Sequence, residues 1–212
     1  YAAACIAGVM SLEDALRLVE LRGRIFERMA EGGMLSVPLA EADSKKYTNE
    51  NLSVAVINGE SLCVLSGTVD AIVEAEKKLL ADGVDCTRIK ISVAAHSKML
   101  DPFLAEFKAG VSKIKLNAPS IPFVSNLSGT WITKEEATNP DYWVNQLRNT
   151  VRFADGLSAI LKEPNSIFLE AGPGNTLSSL VRSHSEKTNS HSVVSSLRHP
   201  QEIVSDYEYF LR

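Results

Sequence analysis

The most constraining feature of this chain is an ordered run of strand-like and helical patterns between residues 34 and 93. The strand-like segments are 34–39, 53–57, 62–65 and 88–93. A helix with one apolar face begins at Thr68 and is closed by Gly83. Asn58-Gly59 predicts a hairpin turn between the second and third strands. With a weakly signalled helix in the polar stretch 41–50, the order becomes β-α-β-β-α-β, the ferredoxin-like pattern.

The flanking segments predict a second set of alternating helices and strands. Residues 1–9 read as the interior of a helix, and Ser11 to Asp14 has the capping-box pattern before a helix that extends to Ala30. The later predictions are a helix opened by Asp101-Pro102, a strand at 119–125, a mainly helical stretch at 141–160, a buried strand at 167–171, a tight turn at 172–175 and a helix at 176–182. Strands that alternate with helices predict a parallel sheet, so the expected fold class is α/β with a ferredoxin-like insert.

Composition excludes several classes of protein. Hydrophobic residues make up 45% and charged residues 23% of the chain, which is typical of a globular protein. The 22 basic and 26 acidic residues are interspersed and form no basic stripe, so no nucleic-acid partner is predicted. No apolar run approaches the roughly 18 residues of a membrane span. The three cysteines are far apart, predict no metal site or disulfide framework, and fit a reducing cytoplasm.

One arginine interrupts an otherwise apolar helix face. The positions that share this face are Ala15, Leu18, Arg22, Ile25 and Met29. Burial of an unpaired guanidinium on an apolar helix face costs folding free energy. Two interpretations follow. In the first, Arg22 has a structural role, either in an ion pair or with its stem buried and its guanidinium exposed to water. In the second, its guanidinium binds a ligand carboxylate in bidentate geometry.

A second candidate is His96, at the end of the predicted strand 88–93. Ligand sites in α/β folds lie at the carboxyl ends of strands, and imidazole can take and return a proton near neutral pH. The alternative is a histidine with a structural role. No complete G-x-S-x-G motif is present, because residues 59–63 lack the final glycine and lie at a hairpin. The turn 172–175 lacks the third glycine of a dinucleotide-binding loop.

Several motifs follow one another in a fixed order along essentially all 212 residues. They are 1–16 (YAAACIAGVMSLEDAL), 93–97 (VAAHS), 121–129 (IPFVSNLSG), 142–148 (YWVNQLR), 151–153 (VRF), 170–175 (EAGPGN) and 196–200 (SLRHP). In this order they resemble the malonyl-CoA:acyl carrier protein transacylase family, and most closely the acyltransferase domains of modular type I polyketide synthases. The resemblance implies a hydrolase-like parallel-sheet subdomain (1–32 and 94–212) that holds a ferredoxin-like small subdomain (33–93).

The resemblance also implies roles for single residues. His96 matches the catalytic histidine, and Gln146 matches the residue whose backbone carbonyl orients the imidazole. Arg22 falls where the family has the arginine that pairs with the free carboxylate of the extender unit. Val93 and Ala95 belong to the family motif whose sequence indicates which extender unit is selected. The small Ala95 leaves room for methylmalonyl, but it also occurs in malonyl-specific relatives, so we expect a malonyl group with methylmalonyl as the alternative.

The implied reaction is transfer of a malonyl-type unit from coenzyme A to the phosphopantetheine thiol of an acyl carrier protein, with no bound cofactor. The implied setting is the cytoplasm, beside ketosynthase and linker regions of a synthase. The resemblance leads us to expect the G-H-S-x-G serine before Tyr1, so the 212 residues alone are expected to be inactive. Thr150 stands where the family usually has proline, which puts the local turn in doubt.

The sequence is also compatible with two other functions. One is an acyl hydrolase of the same fold, which would not need the arginine. The other is a catalytically inactive fragment or a module that docks a carrier protein.

Overall fold

The computed structural model describes residues 1–210, which form two compact units, Tyr1–Gly156 and the residues from Leu157 onward. The α-helices are Ala2–Ile6 (α1), Leu12–Arg28 (α2), Glu41–Ser44 (α3), Val69–Ala81 (α4), Leu104–Val111 (α5), Lys134–Ala137 (α6), Pro140–Arg148 (α7), Phe153–Leu161 (α8), Thr176–Ser183 (α9) and Asp206–Phe210 (α10). The strands are Gly32–Val37 (β1), Leu52–Gly59 (β2), Leu62–Thr68 (β3), Thr87–Arg88 (β4), Val151–Arg152 (β5), Ile167–Pro173 (β6) and Ser192–Leu197 (β7). Short 3-10 helices lie at Lys45–Tyr47 and Lys98–Phe103.

The first four strands form the predicted ferredoxin-like arrangement. Their order in the sheet is β4-β1-β3-β2, every neighbouring pair is antiparallel, and β5 adds a parallel pair at the outer edge of β2. Helix α4 is capped by Thr68, whose hydroxyl accepts a bond from the Ala71 N–H at 3.3 Å. Its apolar face packs in one cluster with Leu35 and Leu65 of the sheet. The α/β fold class is therefore confirmed, whereas the boundaries 33–93 stay a prediction.

The hairpin is present, but its predicted turn is wrong by two residues. Gly59 pairs with Leu62, so the connection consists of Glu60 and Ser61, and Asn58 lies inside β2. A register shift after Ile57 allows β2 to continue through this pair.

The alternating strand predicted at 88–93 is also wrong. Only Thr87 and Arg88 pair regularly with β1. The Ile91 N–H donates to the Ile89 carbonyl at 2.8 Å, and this bond between residues two apart closes a tight turn that interrupts the ladder. The Gly32 N–H of β1 still donates to the Ser92 carbonyl beyond the turn, at 3.0 Å. Alternation of apolar residues did not reveal this bend.

The two predictions that follow His96 in the chain, a helix that begins at Asp101 and a strand at 119–125, are wrong. Asp101 and Pro102 lie inside a 3-10 helix that is capped by Ser97, and α5 begins later, at Leu104. The strand predicted at 119–125 is absent apart from a single bridge at Val124. Two prolines in this segment carry no N–H for a strand ladder. The Ser120 N–H donates instead to the Ala7 carbonyl at 2.7 Å.

One hydrophobic core in the first unit joins the three helices that position the site. It contains Leu18 and Ile25 of α2, Phe107 of α5, and Trp143 and Leu147 of α7. Ser11 caps α2 as predicted, because its hydroxyl accepts a bond from the Asp14 N–H at 3.1 Å. The predicted helical stretch 141–160 is interrupted between α7 and α8.

The second unit contains the parallel pair β6 and β7 together with α9. The strand at 167–171 is present, but the prediction that it is buried is wrong, because Ile167 and Leu169 are 74% and 62% exposed. The predicted tight turn is present, with Gly172 and Gly174 at φ of +148° and +92°. Among the described residues, no helix combines the length and apolar character needed to cross a membrane.

Candidate active site

His96 lies in a tight turn between β4 and the following 3-10 helix. Its φ of +56° is uncommon for a residue other than glycine. Ala94, Ala95 and Ser97 around it are buried. The Ser97 hydroxyl donates to the Ala94 carbonyl at 2.7 Å and closes the turn. The backbone therefore holds the imidazole on a rigid support, in a conformation of the kind that clusters at functional sites.

A backbone carbonyl determines which nitrogen of His96 carries the proton. The Nδ1 atom lies 3.0 Å from the carbonyl oxygen of Asn149. Because a carbonyl only accepts hydrogen bonds, Nδ1 carries the proton and the lone pair lies on Nε2. Among the described residues, Nε2 has no hydrogen-bond partner. The ring is thus arranged as a base with a free acceptor nitrogen.

The prediction that the Gln146 carbonyl orients the imidazole is corrected by this contact. Gln146 lies inside α7, which ends at Arg148. The chain leaves helical geometry at Asn149, with φ −90° and ψ 171°, and the carbonyl there lies beyond the helical hydrogen-bond ladder. The sequence prediction missed Asn149 by three residues, because the stretch 141–160 was predicted as mainly helical and the helix end at Arg148 is visible only in the structure.

Arg22 is half-buried and forms no ion pair with a carboxylate anywhere in the described residues. Its guanidinium carbon lies 4.4 Å from the centre of the Phe26 ring, one helical turn along α2. A cation above an aromatic face is stabilised without a counter-ion. By contrast, the neighbouring Arg24 pairs with Glu20. The structural ion pair considered from the sequence is therefore absent, and the guanidinium remains available to a ligand carboxylate.

The electrostatic surroundings keep His96 neutral. The pKa of His96 is lowered from 6.5 to about 4, first by burial, then by the positive charge of Arg22, with Arg148 as a smaller cause. The hydrogen bond to the Asn149 carbonyl raises the pKa of His96, since it favours the protonated ring. At neutral pH the imidazole is therefore in the form that accepts a proton.

An open groove of about 270 Å³ lies beside His96. Its lining residues are Lys45, Thr48, Asn49, Leu52, Ser53, Val54, His96, Arg148, Asn149 and Thr150. The two cationic side chains are neutralised, because Lys45 pairs with Glu41 at 2.7 Å and Arg148 pairs with Asp101. The groove therefore suits an uncharged chain that can form hydrogen bonds.

Ala95 connects the histidine turn to the arginine through packing. Ala95 is buried in a cluster with Met34, Ala55 and Val64, and Phe26 packs against that cluster. Phe26 therefore contacts both the guanidinium of Arg22 and the cluster that contains Ala95. Val93 is half-buried in the preceding loop. Phe26 was not selected from the sequence, although its spacing of four from Arg22 indicates a shared helix face.

A metal site requires converging ligands, and a reactive thiol requires a lowered pKa. In the described part of the chain, no three His, Cys, Asp or Glu side chains converge as a metal site would require. Burial raises the pKa of the Cys63 and Cys86 thiols, which keeps them protonated at neutral pH.

Comparison with known proteins gives a consistent result. Residues 1–212 match the family model described as the acyl transferase domain. A component of the phenolphthiocerol/phthiocerol polyketide synthase of Mycobacterium tuberculosis is 32% identical over 212 residues, which are 100% of this chain and 14% of that protein.

Solved structures agree with this match. The acyl transferase domain of SpnD, in complex with 2-(pent-4-yn-1-yl)malonyl, has a TM-score of 0.91 and 33% identity over 98% of this chain and 50% of its own. The acyl transferase domain of ZmaA has a TM-score of 0.88 and 41% identity over 98% of this chain and 49% of its own. The chain thus spans about half the length of each of these two solved domains.

Proposed function

This chain belongs to the acyl transferase domain family, and on that premise we propose that it takes part in transfer of a malonyl-type group from coenzyme A to the phosphopantetheine thiol of an acyl carrier protein. One observation carries the proposal: a neutral His96 lies within the electrostatic reach of Arg22, and among residues 1–210 neither its Nε2 nor that guanidinium is paired with another group's carboxylate. The similar SpnD domain is in complex with a substituted malonyl group, which also favours a dicarboxylic acyl substrate.

His96 acts as the general base and then the general acid in two half-reactions. Its Nε2 takes the proton of a serine hydroxyl that lies outside the described residues, and the serine oxygen attacks the thioester carbonyl. The intermediate collapses to a serine ester, and coenzyme A leaves as its thiol with that proton. The carrier thiol then gives its proton to Nε2 and attacks the ester, and the serine oxygen recovers the proton as it leaves.

Arg22 selects the acyl group. Two parallel N–H donors of the guanidinium bind the distal carboxylate of the malonyl unit, a geometry that is strong and directional. An acetyl group has no such carboxylate and loses this interaction. Ala95 and Val93 shape the wall beside it, and the small Ala95 is compatible with malonyl and methylmalonyl.

The partners follow from the same reaction. The groove beside His96 matches the uncharged, amide-bearing pantetheine arm in chemistry, since its own charges are paired. Acyl-CoA and the phosphopantetheine of the carrier protein are substrates, and no resident cofactor is invoked. We place the reaction in the cytoplasm, next to ketosynthase and linker regions of a polyketide synthase, with no nucleic-acid or membrane partner.

The test uses the complete protein that carries this chain, incubated with malonyl-CoA and an acyl carrier protein bearing phosphopantetheine. Intact mass should show a malonyl group on the carrier. We expect the His96→Ala variant to lose transfer by about 10²–10⁴-fold, the range for a missing acid–base group. His199→Ala, a histidine of the second unit, is the matched control and should load the carrier normally.

Two other outcomes would overturn the proposal. Release of free malonate without loading of the carrier would identify a hydrolase. No acyl adduct on either protein would identify an inactive or docking module.

A further inference from the structure

The carbonyl that orients His96 lies on a short connection between α7 and β5, and this connection is held from two sides. On the helix side, the Asn149 N–H donates to the Asn145 carbonyl at 2.8 Å, and the Asn149 side-chain amide donates to the same oxygen at 3.0 Å. On the sheet side, the Thr150 hydroxyl donates to the Val54 carbonyl of β2 at 2.7 Å. The Asn149 carbonyl therefore lies between two anchors.

The anchor on the sheet side combines one side-chain hydrogen bond with the short backbone pairing of β5, whose Arg152 N–H also donates to the Asn126 carbonyl at 2.8 Å. β5 contains only Val151 and Arg152, and it pairs with just two residues of β2. In the described structure the Thr150 N–H makes no backbone hydrogen bond of its own. Thr150 is half-buried, so its hydroxyl bond to Val54 is partly protected from competition by water. This hydroxyl is thus the side-chain link between the Asn149 connection and the sheet.

We propose that Thr150 is a positioning residue, whose hydroxyl bond to Val54 sets the Asn149 carbonyl so that it holds His96 in the tautomer with the proton on Nδ1. The inference rests on the proposed function insofar as Nε2 is the base. Thr150 also lines the groove beside His96, but its effect on the imidazole is exerted through Asn149, and measurement of the tautomer separates this effect from one on substrate binding. The competing view is that Thr150 merely stabilises the turn.

The two views differ in what they predict for the imidazole. If the Asn149 carbonyl moves away, Nδ1 loses its acceptor and the tautomer with the proton on Nε2 gains population. That tautomer cannot accept a proton at Nε2. A purely structural threonine would instead change the melting temperature and leave the tautomer ratio as it is.

The experiment compares Thr150→Val, which keeps the shape and removes the hydroxyl, with Thr150→Ser, which keeps the hydroxyl. The tautomer of His96 is read from the nitrogen resonances of ¹⁵N-histidine-labelled protein, and malonyl transfer is measured on the same samples. We expect Thr150→Val to raise the fraction protonated on Nε2 and to lower kcat/KM by about tenfold, the equivalent of one hydrogen bond. Thr150→Ser should resemble the unmodified protein in both measurements.

An unchanged tautomer in Thr150→Val would overturn the proposal, as would equal losses of transfer in the valine and serine variants. If the valine variant does not fold, Thr150→Ala removes the hydroxyl without adding bulk. The tautomer of His96 in that variant then tests the proposal by the same criteria. The resonance readout needs no acyl transfer. A protein that fails to load the carrier but shows the tautomer change would therefore refute the proposed function and support the role of Thr150.

Discussion

His96 and Arg22 are coupled at the level of single charges. The guanidinium is one cause of the low pKa of the imidazole. Under the proposed function, a dicarboxylic acyl group bound to Arg22 would neutralise this charge and strengthen the base. The same pair would then connect selection of the acyl group with proton transfer.

We expect Arg22→Gln to raise the pKa of His96 above its value of about 4. Removal of a positive charge favours the protonated ring, so protonation begins at a higher pH. A pH titration of the His96 ring resonances by NMR measures this shift directly. Arg24→Gln, which alters an exposed and already paired arginine on the same helix, is the matched control and should leave the titration unchanged.

If the His96 pKa in Arg22→Gln were equal to that of the unmodified protein, the electrostatic coupling would be absent. Burial, with the smaller contribution of Arg148, would then account for the low pKa.

Among the helices, α5 holds the two parts of the site together. It packs against α2, which carries Arg22, and against α7, which ends beside Asn149. Phe107 of α5 is completely buried in the core that these helices share. The relative position of the arginine and the carbonyl thus depends on this packing more than on direct contacts between them.

We expect Phe107→Ala to lower the free energy of unfolding of the first unit by about 3–5 kcal/mol, the usual cost of a large cavity in a core. Denaturant unfolding, followed by a probe within residues 1–156, measures the loss. Leu12→Ala is the matched control, because Leu12 is 66% exposed at the start of α2. Comparable losses in both variants would show that the core around Phe107 is not the stabilising feature described here.

Helix ends and apolar faces were predictable from the sequence where local interactions determine them. Thr68 and Ser11 cap their helices as predicted, since a cap needs only residues three or four positions apart. The contact of the Ser120 backbone with Ala7 depends on a distant segment, so local patterns predicted a strand there. The bend at Ile91 is closed by a bond between residues two apart, and the alternation of apolar residues does not encode it. The turn at Thr150, placed in doubt by the sequence, is formed through a contact with Val54, 96 positions away.

At the scale of the whole molecule, the site is assembled from three distant parts of the chain. Arg22 comes from the helix before the ferredoxin-like sheet, His96 from the turn after it, and Asn149 from the end of α7. The first two are candidates from the sequence alone, because an arginine in an apolar stripe and a histidine in a family motif are visible locally, and their roles stay predictions. Asn149 acts through its backbone, and such a role leaves no side-chain signature in a sequence.

In the proposed function, Arg22 binds a carboxylate on the acyl group that His96 helps to transfer. The most direct test is competition between malonyl-CoA and acetyl-CoA for loading of an acyl carrier protein, measured by intact mass for the complete protein and its Arg22→Ala and Arg22→Lys variants. The unmodified protein should load malonyl, and Arg22→Ala should lose about a hundredfold of its preference for malonyl over acetyl. Arg22→Lys should fall between them, because lysine keeps the charge without the bidentate fork. Malonyl loading by Arg22→Ala at the unmodified rate and selectivity would contradict the account.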